Sequence, residues 1–292
     1  VYVLWTGRKE PTDPTETPPY ARLRESVPVY EDPGRCLDAV ASTTRFVADR
    51  DRAADRPSRA DLAAGLDAPD LDVPRGRVLT WAEAEPLLDA YDVPTVETRV
   101  ATDADGAVAA TEALGFPVVC KVDAPALPHR TDAGAVRLGL DSPGAVRTAY
   151  GEVTAAATAH VDPAEIAGVL VQPMVDDGVE AMVGVAPGDV FGSLVTVGPG
   201  GVFVEALDGS TTLVPPFSRA DAERAVASTA LDELLTDRRG GEPLPVDGVV
   251  DLLVRVGDLA ASVDAVAEID LNPVVVTPDG PVAVDALVRT EE

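Results

Sequence analysis

Residues 115–134 read GFPVVCKVDAPALPHRTDAG. Gly115 stops the helix that Asp103 to Leu114 predicts, and Pro117 to Val122 forms a short apolar run, the signature of a buried strand. Lys121 lies inside that run, where an ammonium is costly unless it has a partner. Lysine occurs only here and at Lys9, so a lysine merely snorkelling from a strand edge explains the position poorly. A compact ammonium inside a cleft suits nucleotide phosphates. The loop that follows carries His129, one of two histidines, beside Arg130, Thr131 and Asp132. A neutral imidazole near a phosphate-binding lysine can accept a phosphoryl group. A solvent-exposed loop histidine fits the same residues. His160, behind a helix, reads as an ordinary surface residue.

Outward from this stretch, Thr80-Trp81-Ala82-Glu83 is a capping box that opens a helix ending near Tyr91. Val96 to Val100 reads as a short strand, and 135–140 as another. Ser142-Pro143 caps a helix running to about Thr158. Strands are expected near 168–175, 179–186, 191–197 and 202–205, then two or three helices between 218 and 262, and a hairpin over 266–288. Upstream, residues 1–50 alternate strand (Val1 to Trp5), helix (Tyr20 to Glu25), strand (Val27 to Tyr30) and helix (Pro33 to Val47). That alternation predicts the tail of a doubly wound α/β domain. Residues 51–76 mix charge, proline and glycine and read as a linker with one short helix around Arg59 to Ala64. Residues 77–292 form the main domain.

Two further segments could carry chemistry. Gly198-Pro199-Gly200-Gly201 could let backbone N–H groups approach an anion, although a glycine-rich hairpin explains it equally well. Glu205 and Asp208 follow, uninformative in so acidic a chain. In the C-terminal hairpin, a turn at Thr277-Pro278-Asp279-Gly280 pairs Val276 with Pro281 and Asn272 with Asp285. Alternation then puts Glu268, Asp270, Asn272 and Asp285 on one face, with Ile269, Leu271, Val282 and Val284 on the other. Oxygen ligands of this kind hold magnesium against phosphates. The competing reading is a solvated acidic sheet face.

Composition sets the limits. The 292 residues are 46% hydrophobic, enough for a sizeable core, and carry 50 acidic against 23 basic residues, a net charge of -27. Such a surface lacks the basic footprint that nucleic acid or anionic membrane requires. The acidity and near-absence of lysine predict a protein of a salt-rich cytoplasm, where salt screens self-repulsion. An acidic protein of an ordinary cell with lysine-averse coding is the alternative. There is no run of 18 apolar residues, and the N-terminus does not read as a signal peptide. Cys36 and Cys120 are not at zinc spacing, and Cys120 reads as a small buried hydrophobe. The chain opens inside a strand, without methionine, which suggests a piece of a longer polypeptide.

In combination and order, these segments resemble the ATP-grasp part of the ADP-forming acyl-CoA synthetases, relatives of succinyl-CoA ligase. The resemblance covers residues 77–292. It rests on the helix Ala82 to Tyr91 with Asp92-Val-Pro, on Gly115 to Lys121, and on His129-Arg-Thr-Asp132-Ala-Gly134. It rests also on Leu170-Val-Gln172-Pro-Met174 with Gly178-Val-Glu180, on Phe191-Gly192 leading to Gly198-Pro-Gly-Gly201, and on Glu268-Ile-Asp-Leu-Asn272-Pro. Residues 1–50 resemble the end of the preceding CoA-ligase domain, which is flavodoxin-like.

The resemblance implies a two-lobed α/β ATP-grasp fold binding ATP or ADP with magnesium. Lys121 would contact the phosphates, with Gly200 and Gly201 in the nucleotide site. Backbone from Gln172 through Met174 to Val175 would hold the adenine, and Glu180 the ribose or an adjacent nucleotide group. Asn272 and Asp285 would bind magnesium, Asp270 would support phosphoryl transfer, and His129 would be a phosphohistidine. Coenzyme A would be bound mainly by upstream CoA-binding and ligase domains, fused or on a separate subunit, in an oligomer. Two positions depart from the family pattern: Arg130 stands where lysine is usual, and Ala135 where a second glycine is usual.

Two other functions use many of the same residues. One is an ATP-grasp ligase that makes an acyl phosphate without phosphohistidine. The other is a nucleotide-binding module without chemistry.

Overall fold

The computed structural model describes every residue except 7–18, 55–56, 67–68, 70, 128–129, 202–208 and 238–240. Two compact units divide the chain, Val1–Ser58 and Arg59–Glu292.

In the first unit, β1 (Val3–Leu4) pairs in parallel with β2 (Val29–Tyr30). Helix α1 (Pro19–Ser26) lies between them in sequence, as a parallel crossover requires, and α2 (Pro33–Ala54) follows. α2 runs past the expected end at Val47. Residues 48–54 contain neither glycine nor proline, so nothing local stops the helix over that stretch.

The second unit begins with the short helix α3 (Arg59–Ala64) and then α4 (Trp81–Asp89). The capping box forms as the sequence predicts, with Glu83 accepting the Thr80 N–H at 3.0 Å. After α4 come β3 (Arg99–Ala101), α5 (Ala104–Leu114), β4 (Val118–Asp123), β5 (Val136–Leu140), α6 (Pro143–Thr158) and β6 (Gly168–Pro173). These four strands make an antiparallel sheet in the order β3-β6-β4-β5. Asp103 caps α5 through the Gly106 N–H at 2.7 Å, and Ser142 caps α6. Ala107, Val146, Ala149 and Val153 of the two helices pack against Val118, Cys120, Val169 and Val171 of the sheet. Cys120 is fully buried there, and burial pushes its thiol up to about 11, as befits an inert core residue.

The larger layer consists of β7 (Val179–Gly188), β8 (Gly192–Pro199), β9 (Thr211–Leu213), α7 (Arg219–Ala227), α8 (Ala230–Thr236), α9 (Val246–Ser262), β10 (Val266–Thr277), β11 (Gly280–Ala283) and β12 (Leu287–Thr290). Its sheet order is β11-β10-β7-β8-β9, with β12 also on β10. Val249, Leu252, Leu253, Val256 and Leu259 put an apolar stripe of α9 onto Val183, Val185, Val195 and Val197. Each fully buried leucine contributes roughly 1.5–3 kcal/mol. Leu170 of the smaller sheet and Trp81, Leu87 and Leu88 of α4 share this core, which joins the two layers.

The expected strand at Val96–Val100 starts only at Arg99. Val96 instead donates its N–H to Ala283 at 3.0 Å, and Ala283 donates to Pro94 at 2.8 Å, so this segment is drawn onto the C-terminal hairpin. The strand expected at 202–205 lies outside the described residues. β9 was not anticipated, its three residues being too few for a periodic signal.

Candidate active site

Alternation along β4 sends Val118, Cys120 and Val122 to the core and leaves Lys121 and Asp123 on the opposite face. Lys121 is 5% exposed. Its Nζ donates to the Val284 carbonyl and lies 3.3 Å from Asp285 Oδ1. Arg130 Nη1 donates to the same oxygen at 2.7 Å, and the Ala286 N–H at 3.0 Å. A single carboxylate oxygen thus stands between two cations. Burial pushes Lys121 below the ordinary lysine range, opposed by the Asp285 charge. Burial alone would raise Asp285, but Lys121 and Arg130 outweigh it and hold the carboxyl below its usual range. Asp285 is therefore the ionised partner.

Asp123, 1% exposed, accepts the Trp81 N–H at 3.0 Å through Oδ2, tying the strand to the first turn of α4. Burial raises its pKa, with that hydrogen bond and Arg130 opposing. Sequence reasoning missed this residue. Its one signal was the shared face two positions after Lys121.

The hairpin register agrees with the sequence. Val276 pairs with Pro281, Val274 with Ala283 and Asp270 with Leu287, so Asn272 lies opposite Asp285. Ile269 and Leu271 are buried, while Asp270 and Asn272 are exposed. The expected convergence of three carboxylates needs correction. Among the described residues no group of three acid, histidine or cysteine side chains is placed to hold a metal. Glu268 is drawn to Arg289, at 2.6 Å and 2.8 Å, and Asp285 Oδ1 to the two cations. The donors left on this face are Asp270, Asn272 and Asp285 Oδ2, which has no hydrogen bond among the described residues. Three hard oxygens still fit a magnesium ion that keeps several of its waters.

The nucleotide residues separate by role. Gln172 is buried and donates from Nε2 to Thr98 Oγ1 at 2.9 Å, so its side chain is structural. Pro173 has no N–H, and Met174 gives its own to Pro117 at 2.9 Å. Of the expected adenine contacts, the Val175 N–H is the donor left without a described partner. Glu180 is exposed, on β7 opposite Val275. Gly200 donates its N–H to the Glu180 carbonyl at 2.8 Å, which removes it as an anion donor. Gly201, with φ +61°, lies against the Glu180 carboxylate.

His129 lies outside the described residues. Arg130 beside it is placed, and the loop closes through hydrogen bonds from Gly134 to Thr131 (3.0 Å) and from Ala135 to Arg130 (2.9 Å). Gly134 has φ +70°, which requires glycine, whereas Ala135 is fully buried without a positive φ. The second glycine of the family pattern is therefore dispensable here. A cavity of about 550 Å³ borders the start of this loop at Pro125 and Ala126, lined also by Arg77, Thr80 and Glu165. It contains none of the sequence-predicted site residues.

Lys121 of β4 and Arg130 of the loop after it thus meet Asp285 of the C-terminal hairpin, which is widely separated from both in sequence. The ATP-grasp domain family model matches residues 73–290, and the chain belongs to that family. Within it, the chain matches beta subunits of ADP-forming acetate–CoA ligases. The beta subunit of acetate–CoA ligase II from Pyrococcus furiosus is 35% identical over 207 residues, covering 70% of this chain and 88% of that subunit. Acetate–CoA ligase I from Archaeoglobus fulgidus is 32% identical over 273 residues, 90% of this chain but 39% of that longer protein. The solved acetyl-coenzyme A synthetase 1 of Ca. Korarchaeum cryptofilum, in complex with coenzyme A, Ca-AMPCP and HgCl+, superposes with a TM-score of 0.70 at 36% identity, covering 74% of this chain and 94% of that one. Another structure of that protein holds coenzyme A and Mg-AMPPCP, its phosphohistidine segment pointing towards the nucleotide binding site.

Proposed function

We propose that this chain is the nucleotide-binding half of an ADP-forming acyl-CoA synthetase, with acetate the first acid to test. The full reaction is acyl-CoA + ADP + phosphate ⇌ carboxylate + ATP + CoA. The observation that carries this reading is Lys121, buried in β4 beside Arg130 and facing the Asp285 hairpin. In this reading Lys121 orients the terminal phosphates, the Val175 N–H takes an adenine ring nitrogen, and Glu180 takes a ribose hydroxyl. Asp270, Asn272 and Asp285 Oδ2 would hold magnesium, which when bound neutralises phosphate charge. A nitrogen of His129 accepts the γ-phosphoryl group: the N–P bond forms, the bond from Pγ to the bridging oxygen breaks, and ADP leaves. Positioning and charge neutralisation supply the rate, without a strong base.

Coenzyme A and the acid are handled by CoA-binding and ligase domains, fused or on a partner subunit. We assign residues 1–50 to the tail of such a domain. The match to the Archaeoglobus ligase, which extends beyond the ATP-grasp residues, supports this assignment. The net charge of -27 supports a salt-rich cytoplasm as the working environment.

The test combines the chain with its CoA-binding partner domains, acetate, coenzyme A and Mg-ATP in molar KCl. Formation of thioester, ADP and phosphate in equal amounts is expected. Formation of AMP and pyrophosphate, or of no thioester, contradicts the proposal.

A further inference from the structure

We propose that Arg130 is a second phosphate-binding cation, and that the Asp285 carboxylate fills the anion position between Arg130 and Lys121 until nucleotide displaces it. The inference rests on the nucleotide-binding reading above and deepens it.

The first argument is charge. The side chains of Lys121 and Arg130 are only 6% and 11% exposed, and both meet Asp285 Oδ1. Two buried cations therefore share one carboxylate in a chain that carries 50 acids. Glu83 is engaged with Arg77 and Glu268 with Arg289, while Asp123, held by the Trp81 N–H, acts on both cations through space with no ion pair to either among the described residues. Among the described residues that one carboxylate oxygen is the anion both cations meet at contact distance, and the two cations repel each other across it, so a further anion in contact with them would be favourable.

The second argument is the hydrogen bonding of Arg130. Its Nε is buried and has no partner among the described residues. A guanidinium presents five donors in a planar fork, and a buried donor left unmade is costly. One carboxylate oxygen on Nη1 does not use that fork, whereas a phosphate can engage Nε and an Nη together while another of its oxygens faces the lysine. Among the described residues this leaves an unfilled donor beside the single oxygen the two cations share.

The third argument is position. Arg130 follows the candidate phosphoryl acceptor directly in sequence, and it faces the same hairpin oxygen as Lys121. Displaced from the cations, Asp285 remains opposite Asn272 on the open face of β10. One residue then serves in turn as a stand-in anion and as an oxygen donor beside Asp270 and Asn272.

The test is a calorimetric titration of ADP, with adenosine as the phosphate-free control, in EDTA at fixed ionic strength. Wild type, Arg130→Ala, Arg130→Lys and Asp285→Asn are compared, each checked for a cooperative melt. Arg130→Ala should weaken ADP by about tenfold or more, as loss of a charge-assisted contact predicts, and leave adenosine unchanged. Arg130→Lys should fall between. Asp285→Asn should bind metal-free ADP several-fold tighter than wild type, whereas a residue acting only as a metal ligand has no such effect without metal. Unchanged ADP affinity in Arg130→Ala and Arg130→Lys overturns the assignment of Arg130. Unchanged or weaker affinity in Asp285→Asn overturns the stand-in role. If wild type binds ADP no better than adenosine, this inference fails together with the phosphate contact given to Lys121. If it binds neither, the nucleotide-binding reading fails with it.

Discussion

The Glu180 carboxylate lies directly against Gly201, so that a β-carbon at Gly201 would sit 1.9 Å from Glu180 Oε2. The glycine loop and the candidate ribose-binding acid are thereby one structural unit, joined also by the Gly200 N–H on the Glu180 carbonyl. The two glycines predict different outcomes. At Gly200 a β-carbon would meet the Ala181 backbone at 2.8–3.0 Å, which cannot swing aside. Gly200→Ala should cost more than about 2 kcal/mol of stability, in line with overpacking against backbone. At Gly201 the obstacle is a side chain that can move, but φ +61° remains. Gly201→Ala should cost about 1 kcal/mol and displace Glu180, lowering nucleotide affinity. Urea unfolding of the two variants checks the order, and equal costs contradict it.

Gln172 should matter for stability and not for nucleotide contacts. Its amide donates to Thr98 Oγ1, which donates in turn to the Val96 carbonyl at 2.9 Å. Thr98→Val leaves the buried amide unsatisfied and should cost about 1–3 kcal/mol. The affinity of the folded variant for ADP should be unchanged. A calorimetric affinity loss larger than about threefold, in protein that melts cooperatively, places Gln172 in the nucleotide site after all.

Asp123 gives a pH-dependent prediction. Burial raises its pKa above the ordinary 3.8, with the Trp81 N–H and Arg130 only partly compensating. A carboxyl raised on folding prefers its protonated form in the native state, so its contribution is most favourable below 3.8 and is lost as pH rises through the folded value. Asp123→Asn keeps the acceptor for Trp81 and removes the buried charge. It should match or exceed wild-type stability at pH 7, with the difference shrinking towards pH 4. Asp123→Ala, which orphans the Trp81 N–H, should lose about 1–3 kcal/mol at both pH values. Denaturant midpoints at the two pH values decide it, and an Asp123→Asn variant that loses as much as Asp123→Ala refutes the sign.

Lys121→Met should separate folding from binding. Asp285 keeps Arg130 at 2.7 Å when Lys121 is gone, so the carboxylate is not stranded. Removing a buried ammonium in favour of an apolar chain of similar length should change stability by no more than about 1.5 kcal/mol. ADP affinity should fall by at least about tenfold through loss of the charge-assisted phosphate contact. Unfolding of the variant, or unaltered ADP binding, contradicts the role given to this lysine.

Much of this was readable because it depends on local pattern. The capping box at Thr80, the β4 run that contains Lys121 and the register of Asn272 against Asp285 each follow from spacing or alternation. What joins them is not local. Nothing around Lys121 in sequence marks Val284 and Asp285 as its partners, since they arrive on the last hairpin. The commitment of Asp285 Oδ1 to two cations, which reshapes the oxygen set on β10, was therefore invisible. The same holds for the Met174 and Gly200 N–H groups, claimed by the Pro117 and Glu180 carbonyls. The late start of β3 has a similar origin, because the Val96 N–H is held by the Ala283 carbonyl. The extra turns of α2 escape the sequence pattern for a simpler reason: the charged, alanine-rich residues that carry them hold no helix breaker but lead into a stretch that reads as linker.

The most direct test of the central claim is incubation of the protein with Mg²⁺ and γ-labelled ATP in molar KCl, with His129→Ala in parallel. The predicted result is label on the wild-type protein that survives alkali, is lost in acid, and is absent from the variant. Stable nucleotide binding with no label on the wild-type protein, or equal label on His129→Ala, contradicts phosphoryl transfer through His129.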